Sequence, residues 1–234
     1  MTQRFSLSPI QLDEASGLAY RLRLPTHDTP RALAVLLHGL GSHEQDLAEL
    51  AASFAEDVLV VLPRGPIQLA PGQYGWFRVA FTPQGPQIVV AEAESSRRRL
   101  IDFLAQMQAD HGITPAQTLL AGFSQGGIMS ASVGLSQPEQ IGGFGLLSGR
   151  ILPELEPQLA SPARLRTLQA FISHGEFDSK LPIQWARAAE QLLNRLGVQH
   201  ISQHYPADHE ITPTMHADFI AWAEQLLDAS PRSL

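Results

Sequence analysis

Residues Gly122-Phe123-Ser124-Gln125-Gly126 spell G-x-S-x-G. In the right setting, this spacing places a serine hydroxyl at a sharp turn between a strand and a helix. Thr118–Ala121 reads as the strand and Gln125–Leu135 as the helix. Gly122 and Gly126 carry no side chain to collide where the two elements meet. The amide of Gln125 opens the helix without an intrahelical acceptor, so it can donate to an oxyanion. The chemistry these residues suggest is nucleophilic attack by Ser124 on a carbonyl.

A neutral serine hydroxyl needs a base. In doubly wound sheets that use this turn, the order along the chain is serine, acid, histidine. His200 and His204 lie in the strand-like stretch Gln199–Tyr205, and His216 lies in the last helical stretch. His209 sits in the loop Pro206–Glu210, which should emerge at the carboxyl end of the sheet beside the serine. It is the favoured base, with His204 as the alternative. For the acid, Asp178 and Glu176 compete in the loop after the strand Leu168–Ser173. Asp178 is preferred because it leads into Pro182 and the next helix, while Asp208 adjoins His209 and should point elsewhere.

A second oxyanion donor should follow an early central strand. Leu37-His38-Gly39-Leu40-Gly41 meets that condition, with the amide of Leu40 as donor. His38 is expected to order this loop by hydrogen bonds. Arg64–Gln87, rich in Pro, Gly and aromatic residues, is too long to be an idle connection. It should wall the site, with Trp76 and Phe77 as candidate substrate-binding residues.

The remaining pattern supplies the scaffold. Gly17–Leu24 alternates in polarity, whereas Ala32–Leu37 and Val58–Leu62 are unbroken apolar runs, as expected of strands covered on both faces. Helical patterns fall at Glu44–Ala55, Ala91–His111, Gln125–Leu135, Ile183–Leu196 and Pro213–Leu227. Strands alternating with helices imply an α/β fold with a mainly parallel central sheet and helices on both faces. No composition shift divides the 234 residues, so one domain spanning 1–234 is expected. Gly149–Thr167 is too short for a cap domain.

Composition narrows the function. Net charge is −7 and no long basic tract occurs, which argues against nucleic acid as a partner. Cysteine is absent, which excludes disulfides and thiolate chemistry. No apolar run approaches a membrane span, and the first thirty residues lack a signal core. The expectation is a cytoplasmic protein. The sequence shows no metal-hydrolase or dinucleotide fingerprint, so no cofactor is expected. A metal site built from His200, His204 and His209 is the rival chemistry, but it lacks a partnering acid cluster.

Together, the His38 loop, Gly122-Phe123-Ser124-Gln125-Gly126-Gly127, Leu147-Ser148-Gly149, His174-Gly175 with Asp178 and Leu181-Pro182, and His209 with Ile211 resemble the phospholipase/carboxylesterase family of α/β hydrolases. The resemblance implies an α/β-hydrolase fold, a Ser124–Asp178–His209 triad, and oxyanion amides at Leu40 and Gln125. It implies hydrolysis of a small ester or thioester, and a homodimer is the assembly considered. Acyl-protein thioesterase, lysophospholipase and non-catalytic binding readings are the alternatives. Ser42, Arg64-Gly65 and Arg78 depart from the thioesterase branch, which favours a serine carboxylesterase acting on short- to medium-chain esters.

Overall fold

The computed structural model describes residues 6–26, 29–82 and 85–229. In chain order the elements are β1 (Gln11–Asp13), β2 (Leu18–Arg23), β3 (Ala32–Leu37), α1 (Ala48–Ala52), β4 (Val58–Pro63), β5 (Ile67–Ala70), β6 (Gln73–Gly75), β7 (Val79–Thr82), β8 (Gly85–Ile88), α2 (Val90–His111), β9 (Thr118–Phe123), α3 (Gln125–Ser136), β10 (Gly143–Leu147), β11 (Gln169–Gly175), α4 (Gln184–Leu196), β12 (Gln199–Tyr205) and α5 (Pro213–Asp228).

Eight strands form one sheet in the order β1-β2-β4-β3-β9-β10-β11-β12. The β1–β2 and β2–β4 pairings are antiparallel, and every other pairing in this sheet is parallel. Both faces are buried, which is why β3 and β4 read as continuous apolar runs. Their side chains alternate between two cores. Leu33, Val35, Leu37, Leu59 and Val61 pack with residues of α2, α3 and α4. Ala32, Ala34, Leu36, Val58, Val60 and Leu62 pack with Leu50 and Ala51 of α1 and with Phe219, Trp222, Leu226 and Leu227 of α5.

The ends of the elements follow local chemistry. Gly112 and Gly197 terminate α2 and α4 in the left-handed region, at φ 64° and 71°. Thr212 caps α5, accepting a hydrogen bond from the Met215 amide at 3.2 Å, and Pro213 occupies the first helical position. Thr114-Pro115 opens a 3₁₀ turn that leads into β9.

Two expectations are corrected. The helix expected over Glu44–Ala55 is helical only at Ala48–Ala52. Glu44 is instead drawn inward by Arg21 and Arg64, at 3.0 and 2.7 Å, and residues 44–47 form turns. The segment Arg64–Gln87, which follows β4, is also more ordered than a loop, because β5–β6 and β7–β8 are antiparallel hairpins. Pro83 and Gln84 of that segment lie outside the described residues. Between β10 and β11 the chain makes two short 3₁₀ turns in place of a cap. Among the described residues, no helix is long and apolar enough to cross a membrane.

Candidate active site

Ser124 stands between the end of β9 and the start of α3, with φ 54° and ψ −116°. A side chain there is strained, and strain of this kind persists where the surroundings enforce it. The Ser124 amide donates to Leu147 O at 2.8 Å, and its carbonyl accepts from the Ile128 amide at 3.0 Å. A Cβ on Gly126 would lie 2.0 Å from the carbonyl oxygen of Leu37, so strand and helix meet only because this residue is glycine.

The hydroxyl of Ser124 lies 2.9 Å from Nε2 of His209, and Nδ1 of His209 lies 2.7 Å from Oδ2 of Asp178. The carboxylate fixes the tautomer. Nδ1–H donates to Asp178, so Nε2 is free to accept the serine proton. Oδ1 of Asp178 is also engaged, accepting from the amides of Lys180 and Leu181 at 2.9 and 2.7 Å. Asp178 is buried, whereas Glu176 is exposed. The ring of Phe123 packs on His209 with centroids 4.9 Å apart.

The alternatives lie elsewhere. His204 stays on β12, in register with His174 of β11. His200 is likewise on β12, its Nδ1 bonded to Val198 O at 2.9 Å. Among the described residues, no group of three or more His, Cys, Asp or Glu is arranged to hold a metal ion. Asp208 makes no hydrogen bond to the His209 ring among the described residues, in line with the preference for Asp178. Its Oδ1 accepts from the Ser179 and His209 amides at 2.7 and 2.8 Å, which fastens the acid loop to the base loop.

The early loop is held as tightly. Nδ1 of His38 donates to Gly39 O at 2.7 Å, and Nε2 accepts from the Gly65 amide at 2.9 Å. Burial pushes the His38 pKa down to about 4, so the ring is neutral, as this bonding requires. The Gly41 amide donates to Tyr74 O at 2.8 Å. The Leu40 amide has no acceptor among the described residues, and Leu40 lines the cleft together with Ser124 and Gln125. His38 thus orders the loop, as expected.

The site opens into a cleft of about 350 Å³. Phe77, Val79 and Pro86 supply apolar wall from the expected segment, Ile88 adds to it from just beyond that segment, and Ile128 and Leu181 face it from α3 and the acid loop. Trp76 does not line this cleft, which corrects its assignment as a substrate-binding residue. Its ring is fully buried, and Nε1–H donates to His38 O at 3.0 Å. An indole N–H taken out of water needs an acceptor, and the loop carbonyl provides one. The Gln125 side chain also acts structurally. Oε1 accepts from the Trp76 amide at 2.8 Å, and Nε2 donates to Phe77 O at 2.7 Å.

The model of the family described as Phospholipase/Carboxylesterase matches residues 24–226. The chain belongs to that family. Among curated proteins it is similar to acyl-protein thioesterase 1 of Emericella nidulans, at 28% identity over 198 residues, covering 73% of this chain and 79% of the relative. It is 26% identical to acyl-protein thioesterase 1 of Gibberella zeae over 216 residues, or 85% of this chain and 92% of that one. The structure superposes on esterase PE8 with a TM-score of 0.78 and 28% identity, covering 90% of this chain and 99% of the other. A carboxylesterase from Mesorhizobium loti shares the fold at a TM-score of 0.79 and 24% identity, covering 93% and 98%. The family member described here is therefore an ester-bond hydrolase with the α/β-hydrolase fold.

Proposed function

We propose that this hydrolase is a serine carboxylesterase that cleaves short- to medium-chain carboxylic esters through an acyl-enzyme. The observation that carries the reading is the unbroken chain from Ser124 Oγ through His209 to Asp178, with links of 2.9 and 2.7 Å. His209 Nε2 takes the hydroxyl proton as Oγ attacks the ester carbonyl, and Asp178 steadies the imidazolium that forms. The amides of Leu40 and Gln125 receive the oxyanion, each worth about 3 kcal/mol in sites of this kind. His209 then returns the proton to the departing alcohol. Water enters, gives a proton to His209 and attacks the acyl carbonyl; the bond to Ser124 Oγ then breaks, Oγ takes the proton back from His209, and the acid departs.

The apolar wall supports an acyl chain of limited length, since each buried methylene contributes roughly 0.8 kcal/mol and the cleft holds about 350 Å³. The thioesterase relatives favour a second reading, in which the same acyl transfer acts on a thioester. Turnover of oxoesters and thioesters graded by acyl length tests both readings. Labelling by a fluorophosphonate, lost in Ser124→Ala, tests the nucleophile. Failure of the wild-type protein to label would return the chain to the non-catalytic reading.

A further inference from the structure

The cleft beside Ser124 carries an unexpected charge pattern. On a chain with 23 acidic and 16 basic residues, the only charged side chains lining it among the described residues are Arg150 and Lys180. Lys180 is exposed at the rim, but Arg150 is 6% exposed. A buried arginine is ordinarily paired with a carboxylate. Arg150 has no hydrogen bond or ion pair to any described residue, and its guanidinium lies 4.7 Å over the Trp185 ring. Burial pushes its pKa down from the ordinary value, opposed by the more distant charge of Glu154. Arginine stays protonated at neutral pH all the same.

The backbone also brings this residue to the reacting centre. A Cβ on Gly149 would lie 3.1 Å from the carbonyl oxygen of Ser124, so Arg150 begins one residue from the serine turn. Ser148 is the other non-glycine residue at positive φ among those described, at 48°. Its amide is fixed to Ser173 O at 2.8 Å. The strained turn delivers a buried, ionically unpaired guanidinium to a cleft whose other lining side chains are apolar apart from Ser124, Ser179, Gln125 and the exposed Lys180.

We propose that Arg150 is a specificity-determining residue that selects esters bearing a carboxylate in the acyl or the alcohol part. The inference rests on the esterase reading of the same site. A guanidinium matches a carboxylate with two parallel N–H···O bonds, and its stacking on Trp185 leaves those edges free to donate. The incoming carboxylate supplies the partner that the protein withholds.

Four esters test the proposal. The 4-nitrophenyl hemiglutarate and 4-nitrophenyl pentanoate pair places the carboxylate or its neutral counterpart on the acyl side. The butyryl esters of 4-hydroxybenzoate and of methyl 4-hydroxybenzoate place it on the alcohol side. In one pair, the wild-type enzyme should favour the anionic ester by about 10- to 100-fold in kcat/KM, the range of a charge-assisted hydrogen bond. The pair that shows the preference tells which side of the scissile bond Arg150 reads. Arg150→Met keeps an unbranched stem and should reduce the ratio to about one, while Arg150→Lys should restore part of it. If the wild-type enzyme cleaves neutral esters as well as anionic ones, the proposal falls and the esterase reading stands. An unchanged ratio in Arg150→Met would assign Arg150 to holding α4 through Trp185 and would also overturn it. If Arg150→Met fails to fold, the wild-type ratios and the Arg150→Lys ratio still decide. No turnover of any of the four esters would remove the esterase reading as well.

Discussion

Gln125 is expected to be as important for its side chain as for its backbone. The side chain is buried, and both ends of its amide are committed, to the Trp76 amide at 2.8 Å and to Phe77 O at 2.7 Å. Gln125→Leu preserves the backbone donor of α3 but strands one buried N–H and one buried carbonyl. Each stranded group costs about 1–3 kcal/mol, so the variant should lose about 2–6 kcal/mol of stability. For a chain of this size, each kcal/mol moves Tm by roughly 2–4 °C, so the lower bound alone predicts a fall of about 4–8 °C. Urea denaturation followed by tryptophan fluorescence measures the loss. Amide hydrogen exchange at Trp76 shows whether the 64–88 segment loosens first. A loss below about 0.5 kcal/mol would refute the clamp.

Gln125→Glu sharpens the same test. Its carboxylate can still accept from the Trp76 amide but sets a second oxygen against Phe77 O. Only the protonated acid can donate there, so the folded-state pKa must rise above the unfolded value of about 4.3. A raised acid pKa means the destabilisation relative to wild type is smallest below about pH 4 and grows as pH rises. A penalty that is flat between pH 4 and pH 8 would show that the Phe77 carbonyl does not meet this side chain.

Ser124→Ala should lower ester turnover by at least ~10⁴-fold with little change in Tm, measured by initial rates and calorimetry. Asp178→Asn should cost ~10⁴-fold through the wrong imidazole tautomer, while Glu176→Gln leaves rates nearly unaltered; the reverse order would exchange the acids. Trp76→Phe should reduce kcat/KM for acetate and octanoate esters by the same factor, because the indole acts through His38 O; a chain-length-dependent loss would put the ring back in the pocket. The neutral, buried His38 should make stability fall as pH drops from about 6.5 toward 4, since the unfolded imidazole binds a proton that the folded one refuses. The loss over that window is about 3 kcal/mol at most, and pH-dependent unfolding of His38→Gln should show a shallower slope.

What the sequence makes legible is what depends on near neighbours and on period. The boundaries of β3 and β12 match expectation because an unbroken apolar run, or a bounded polar-apolar one, marks a strand without reference to distant residues. The serine turn and the order of Ser124, Asp178 and His209 are visible for the same reason. Features that depend on partners far along the chain are not. Glu44 looks like the start of a helix, but two arginines from other elements hold it inside. Burial alone would raise its pKa, and hydrogen bonds from Arg64 and Arg21 outweigh that and hold it at about 2. Trp76 looks like pocket lining until the His38 carbonyl is found beneath it. β1 is three residues long and carries no readable period. Arg150 gives no signal at all, because its importance lies in the carboxylate it lacks.

Three imidazoles surround the serine turn and its acid, and residue type alone cannot say which should carry a proton. The structure separates them by environment. His38 has both ring nitrogens bonded to backbone and is pushed down to about 4 by burial. Burial also lowers the pKa of His174, against the opposing pull of Leu181 O and Asp178. Nε2–H of His174 is spent on Leu181 O at 2.6 Å, and Nδ1 is enclosed without a partner. Protonating either ring would place a charge where neither water nor a free carboxylate can meet it, since Asp178 already serves His209. His209 alone joins a buried carboxylate on one nitrogen to a hydroxyl on the other, with its side chain still partly open to solvent. A proton leaving Ser124 therefore has one place to go, and it is the place from which it can return to a leaving group in the cleft.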